Sequence, residues 1–557
     1  MRRLSRDWSP VHVLAVVAVL AFLARLYALD VRVAHQDEAR VAHWILHYMA
    51  VDAWQYRPII HGPFLPHVNG VVFSLLGASD FTMRLVPAIF GAILPLVPLL
   101  YRTRLEDGEV VAAGVLLAIS PVLLYYSRFM RNDLILATLA LATVGFVVRA
   151  IDTRKRWYVY AAAITFAVAL TTKENALLYP VTWAGSLALL LDARLVLSRY
   201  RDQDWVAVLR GTIFATGRSL RPWLPHVVAA MGFGFAVVTA FYAPKPEFYR
   251  MFTRPALVPE VVRVATLGSW NEFLGMWGTT SMQEHSYVSF LGQYLELVAK
   301  GAPALLIAGV VGFVANRYAA DRSRPLVSFF SYCAGFSLLG YPIVTDIMAA
   351  WATIHAIVPM AIPAGVAVAM LARRTRAAVA NDRPTAARVG VAVLVVSTAL
   401  VGGLAADYSY RTPQSPDNPM AQYAQPAGDM KPTLAKIERI AATNDGVDVV
   451  FYGEEFYTPN ETRGDAQLDI DDYADQNDTG GGYAGWFARL PLPWYLELYD
   501  ANVTSTTQAS QLGQFDAPVV ITLASAEGDI KDDLQGYQRY EHQGYLWGRP
   551  VVFYIRD

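Results

Sequence analysis

The sequence predicts a polytopic α-helical membrane protein with a small α/β domain at its C-terminus. Long apolar segments, a one-sided bias of Lys and Arg between them, and an acidic, strand-patterned tail predict it together. Of the 557 residues, 55% are hydrophobic and only 17% charged, against about 25% charged in soluble domains. Eleven segments are long and apolar enough to be spanning helices, at about 11–29, 83–100, 110–126, 134–148, 158–172, 176–191, 223–243, 301–316, 326–342, 352–371 and 389–406. The first follows Arg2, Arg3 and Arg6 as a signal peptide would, but its apolar run is long and ten more spans follow, so it reads as a retained anchor.

Basic residues orient the chain. With the N-terminus in the cytoplasm, the inner connections hold Arg102/Arg104, Arg149/Arg154/Lys155/Arg156, the run from Arg194 to Arg221, Arg317/Arg322/Arg324, and Arg373 to Arg388. The short outer connections hold only Arg128, Arg131 and Lys173. Counting GPFLPHVNGVVFSLLGA (62–78) as a twelfth span would turn every later arginine outward. Pro63, Pro66, His67 and Asn69 also make it a poor lipid-facing span, so it is expected to be an interfacial helix in a large first outer loop. A second outer loop, 244–300, carries Trp270, Trp277, Glu284, His285 and Tyr287.

Two domains are expected, 1–406 in the membrane and 407–557 outside the cytoplasm. From Asp407 onward there are 24 acidic and 10 basic residues; the rest of the chain has 23 and 36. An acidic, Lys-poor tail suits a high-salt environment, where surface carboxylates keep a protein hydrated. The tail opens with a linker-like SYRTPQSPDNPMAQYAQPAG. Helix-like KPTLAKIERIAAT, strand-like VDVVFYG, Gly-rich DTGGGYAG, then PLPWYLELYDA, APVVITLAS and RPVVFYIRD complete an α/β pattern. Asn460, Asn477 and Asn502 open glycosylation sequons. The single cysteine, Cys333, lies in an apolar segment, which excludes a disulfide framework and a Cys-based metal site.

The residues able to do chemistry gather on the outer side. AHQDEARVAHW sets Asp37 and Glu38 side by side after the first span, at the head of an interfacial helix; acids also favour a first helical turn. YYSRFMRND brings Arg128, Arg131 and Asp133 to one corner, TTKEN brings Lys173 and Glu174 to another, and YRPIIHGP adds Arg57 and His61. Asp346, Trp351 and His355 close a further outer corner. Ionisable groups at membrane depth are costly and are functional candidates. Carboxylates among arginines and a lysine suit a site that binds an anion and moves a proton. Nucleotide-activated substrates are cytoplasmic, so an outward site is better matched to a lipid-linked phosphate donor. His43 and His47 share a helical face, but no HExxH or other ligand spacing accompanies them, which disfavours a metal-dependent hydrolase.

In this order, DEARVAHW, HGP, R-x-x-R-N-D and TKEN resemble the C-type (GT-C) membrane glycosyltransferases, which include the protein O-mannosyltransferases and the lipid A aminoarabinose transferases. PLPWYLELYD and TDIMAAWATIHAIVP resemble a narrower group, the archaeal flippase-activity-associated membrane proteins. The resemblance implies a GT-C fold and inverting transfer of a sugar from a polyprenyl- or dolichyl-phosphate carrier to a glycan, lipid or protein acceptor. It implies that Asp37 is the general base, with Glu38 its motif partner and Asp133 the second acid. By chemistry, Arg128, Arg131 and Lys173 are candidates for the carrier phosphate, His61 for sugar or acceptor, and Arg57, Glu174 and His355 for further substrate contacts. The narrower group's name also fits a flippase accessory without transferase activity. An oligosaccharyltransferase is disfavoured by the lack of WWDYG in the tail. The expected partners are the carrier, its acceptor and the bilayer, with no nucleic acid. No cofactor is certain, and paired acids leave a divalent cation open.

Overall fold

In a bilayer every backbone polar group needs a partner within its own segment, so long apolar runs become helices. The computed structural model describes residues 9–277, 285–319, 323–345, 347–422, 424–458, 485–546 and 548–556, apart from the side chains of Ile59, Met276 and Trp277. Asn460, Asn477, nearly all of DTGGGYAG, Glu284 and Asp346 lie outside the described residues.

All eleven expected spans fall on helices. Among the described residues, seven helices have the length and composition to cross a membrane, and Tyr287–Gly301 with Pro303–Arg317, bent by 102°, makes an eighth. Pro10–Leu26 and Trp157–Leu170 are apolar but shorter. The segment expected at 110–126 breaks at Ser120 into Asp107–Ile119 and Pro121–Tyr126. Pro121 lacks the N–H that would continue the first helix and starts the second at its first position. Pro10, Pro303, Pro325 and Pro384 start helices in the same way. Phe64–Leu76, expected at the interface, is an apolar helix of 13 residues, well short of the roughly 20 a span needs.

The chain forms two compact units. The first comprises Met1–Tyr27, Trp54–Leu65 and Arg84–Arg411. Its hub is Ala350–Ala380, whose apolar stretch is 83% buried against 11–61% for the other six long helices. Small residues allow the close approaches: a Cβ on Gly312 would lie 1.8 Å from the Pro363 carbonyl oxygen.

The second unit comprises Ala28–Ala53, Pro66–Met83 and Thr412–Asp557. Strands β1 (Val449–Tyr452), β2 (Val503–Thr506), β3 (Val519–Leu523), β4 (Gln538–Tyr545) and β5 (Gly548–Ile555) form one sheet in the order β2-β1-β3-β5-β4. The β2-β1-β3 ladders are parallel, and β5 and β4 run antiparallel. β1 and β3 are buried at every position, as central parallel strands should be. The stretch read as a linker is packed instead: Asn418, Met420, Gln422, Ala424 and Gln425 are buried. Its Pro and Gln content looked like solvated coil, yet its amides are hydrogen-bonded inside the unit.

Candidate functional site

In the first unit, four separate segments supply one charged cluster. Asp133 is the first residue of Asp133–Thr153, just after the Arg128–Asn132 corner, and is 1% exposed. One of its carboxylate oxygens accepts from Lys173 Nζ at 3.0 Å and lies 3.2 Å from His355 Nε2; the other accepts from Arg131 Nε at 3.3 Å. The Arg131 guanidinium carbon stands 3.4 Å over the Trp351 ring, which fixes its plane. Tyr179 OH is 2.7 Å from His355 Nδ1, Tyr341 stacks on the imidazole, and the Asn175 amide reaches both Tyr341 OH and His355. The imidazole is thereby oriented on both nitrogens.

Glu174, next to Lys173, serves a second group. It accepts from Tyr56 OH at 2.9 Å and lies 3.2 Å from His61 Nδ1. Burial holds the Tyr56 hydroxyl in its neutral form, with Glu174 acting the same way. His61 is pushed below the usual imidazole range by burial and by Lys173, with Glu174 opposing, so it is neutral at pH 7 and donates to the carboxylate. The local backbone is specialised for this. Phe64 and Gly62 donate their N–H groups to the carbonyls of Thr171 (2.9 Å) and Thr172 (3.2 Å). A Cβ on Gly62 would sit 2.3 Å from the Thr171 oxygen, so no other residue fits at this close approach. His61 takes φ 64° and ψ −162°, a region that costs a non-glycine residue roughly 1–3 kcal/mol. Such strain is a mark of functional segments.

Arg57 precedes Pro58–Ile60 in the same segment and is half-buried. Arg128 is engaged elsewhere. Its Nη1 donates to the carbonyls of Ala24 (3.3 Å), Arg25 (2.9 Å) and Tyr27, capping the end of Pro10–Leu26.

Asp37 and Glu38 belong to the second unit, at the start of helix Gln36–Val51. Their environments differ sharply. Glu38 is fully buried; one oxygen accepts from Arg32 at 2.8 Å and the other from the His35 backbone N–H at 3.0 Å, closing a capping box. The Asp37 side chain is 25% exposed and accepts from Arg40 at 3.2 Å. Of the pair, Asp37 is the more exposed carboxylate.

Sequence reasoning had singled out Asp133, Lys173, Arg131, His355, Glu174 and His61, and all are in the two groups above. Tyr56, Asn175, Tyr179 and Tyr341 were not singled out; Tyr56 and Asn175 lie within the quoted YRPIIHGP and TTKEN motifs, whereas the other two tyrosines sit in apolar helices that give no local signal. Asp133 and Asp37 are each paired with cations, and among the described residues no group of three His, Cys, Asp or Glu could hold a metal.

Residues 430–556 match the family described as the Agl23 flippase-associated protein C-terminal domain, and residues 60–215 match the dolichyl-phosphate-mannose-protein mannosyltransferases. No curated protein matches this chain. Among solved structures, the chain resembles ArnT from Cupriavidus metallidurans at 15% identity, over 97% of both chains, with TM-scores of 0.54 (bound to undecaprenyl phosphate) and 0.56 (apo). It also resembles the apo oligosaccharyltransferase of Archaeoglobus fulgidus at 14% identity, over 97% of this chain and 74% of that one, with a TM-score of 0.52. These likenesses establish the fold, which is that of the GT-C membrane glycosyltransferases.

Proposed function

We propose that this chain, a multi-span protein of the GT-C glycosyltransferase fold with an Agl23 flippase-associated domain at its C-terminus, transfers a sugar from a polyprenyl- or dolichyl-phosphate carrier to an acceptor outside the cytoplasm. The observation that carries the reading is the buried Asp133 carboxylate shared by Lys173 and Arg131. Two cations held on one buried carboxylate are pre-oriented, which suits a phosphate monoester or diester.

In this reaction Asp37 takes the proton of the acceptor's nucleophile, as the sequence resemblance implies. The nucleophile forms a bond to the anomeric carbon from the face opposite the carrier, and the bond from that carbon to the phosphate oxygen breaks with inversion. The electron pair leaves on the carrier phosphate, where Lys173 and Arg131 offset the developing charge. Asp133 and His355 position those cations, and Arg57 with the His61–Glu174 pair contacts the sugar-phosphate. Glu38 acts through the loop it caps.

The test separates binding from chemistry. Lys173→Met should weaken binding of undecaprenyl phosphate by about 10- to 100-fold, the worth of a charged hydrogen bond. Asp37→Asn should leave that binding intact and abolish release of the sugar. Unchanged binding in Lys173→Met, or continued turnover in Asp37→Asn, overturns the assignment. The match of residues 430–556 to a flippase-associated domain favours a second reading: assistance to carrier translocation without transfer, in which Asp37→Asn alters nothing.

A further inference from the structure

The segment that leads into Asp37 is bound amide by amide. Val33 N–H donates to Gln414 Oε1 at 3.1 Å, Ala34 N–H to Tyr495 OH at 2.7 Å, and His35 N–H to Glu38 Oε2 at 3.0 Å. Gln36 N–H donates to the Ala424 carbonyl at 3.3 Å, and Asp37 N–H to His35 Nδ1 at 3.0 Å. Five consecutive backbone donors thus each have their own acceptor, and three of the acceptors come from the 412–557 part of the same unit.

The side chains repeat the pattern. Arg32 donates to Glu38 with one nitrogen at 2.8 Å and to Gln425 Oε1 with the other at 2.7 Å, and Gln425 Nε2 returns to the Val33 carbonyl at 3.0 Å. Arg32, Gln425 and Glu38 are all buried. Tyr495 is itself fixed, since its hydroxyl donates to Asp80 at 2.9 Å while Asp80 also accepts from Trp494 Nε1 at 2.9 Å and pairs with Lys431.

A helix start needs one or two caps to be stable. This one has a complete capping box and in addition a strap of acceptors reaching back four residues. Such over-determination sets the place and direction of one carboxylate, and misplacement of a reacting group by about 1 Å can cost 100-fold in rate. We propose that Tyr495, Gln414 and Gln425 are positioning residues for Asp37, so that the C-terminal domain serves the reaction by holding the base. This rests on the transferase reading above.

Tyr495→Phe removes one hydroxyl and keeps the ring. Its effect is read with a dolichyl-phosphate hexose as donor and by deuterium exchange of the 33–37 amides. The expected result is a fall in kcat of about 10- to 100-fold with KM and carrier binding unchanged, together with faster exchange at 33–37. Gln414→Met carries the same test should Tyr495→Phe fail to fold. A kcat equal to wild type, or a rise in KM alone, overturns the proposal while leaving the transferase reading intact. Wild type and Asp37→Asn both lacking transfer removes that reading, and the positioning role with it.

Discussion

Asp133→Asn changes the shape of the first unit's central side chain hardly at all and removes the one negative charge that Lys173 and Arg131 share. Both cations are largely enclosed, with 12% and 7% of their side chains exposed, and the carboxylate is 2% exposed. Breaking a buried pair costs about 3–5 kcal/mol. Asparagine keeps an acceptor for one of the two donors, and Arg131 keeps its seat on Trp351, so the low end applies. A loss of about 3–4 kcal/mol is expected in equilibrium unfolding of the purified protein in mixed micelles. Undecaprenyl phosphate should then stabilise the variant more than wild type, because it supplies the missing negative charge. A loss below about 1 kcal/mol would mean that the pair is effectively solvated, and equal stabilisation of both proteins by the lipid would remove the argument that these cations receive its phosphate.

Gly62→Ala should force the turn away from Thr171 and displace His61 from Glu174, costing about 1–3 kcal/mol; thermal unfolding and carrier binding report it, and wild-type values for both would show that the close approach is dispensable. His43 is buried, and neither ring nitrogen has a hydrogen-bond partner among the described residues. Burial, with a smaller contribution from His47, pushes its imidazole down to about 3. Because the folded value lies below the unfolded one, the unfolded state takes up the proton first. Stability attributable to His43 is therefore full above about pH 6.5 and is lost as pH falls toward about 3, by at most roughly 4–5 kcal/mol. His43→Phe should flatten that slope, and an unchanged slope would contradict the burial argument.

The eleven apolar segments were legible because length and hydropathy are local properties, and every one falls on helix, with 110–126 broken in two at Ser120. The corners were legible for a related reason: charge beside an apolar run needs a cause, and Lys173 and His355 are both partners of Asp133. What stayed hidden depends on partners distant in sequence. Arg128 read as an anion ligand, and its Nη1 also caps Pro10–Leu26. Glu38 stood beside Asp37 as its motif partner, and its enclosure by Arg32 and the His35 amide was not legible. Gln414 and Gln425 looked like linker residues, and only the folded second unit shows them bound to residues 32 and 33. β2 and β4 also escaped notice, since VTST and QRYEHQGY carry too little apolar alternation to announce strands.

The most direct test of the central claim follows a labelled sugar. Wild type and Asp37→Asn would be reconstituted in vesicles with a dolichyl-phosphate radiolabelled hexose and a membrane extract as the source of acceptor. The account predicts that label passes from carrier to acceptor with wild type and stays on the carrier with Asp37→Asn. Label remaining on the carrier with both proteins, while wild type still moves the carrier across the bilayer, would contradict it and establish translocation in its place.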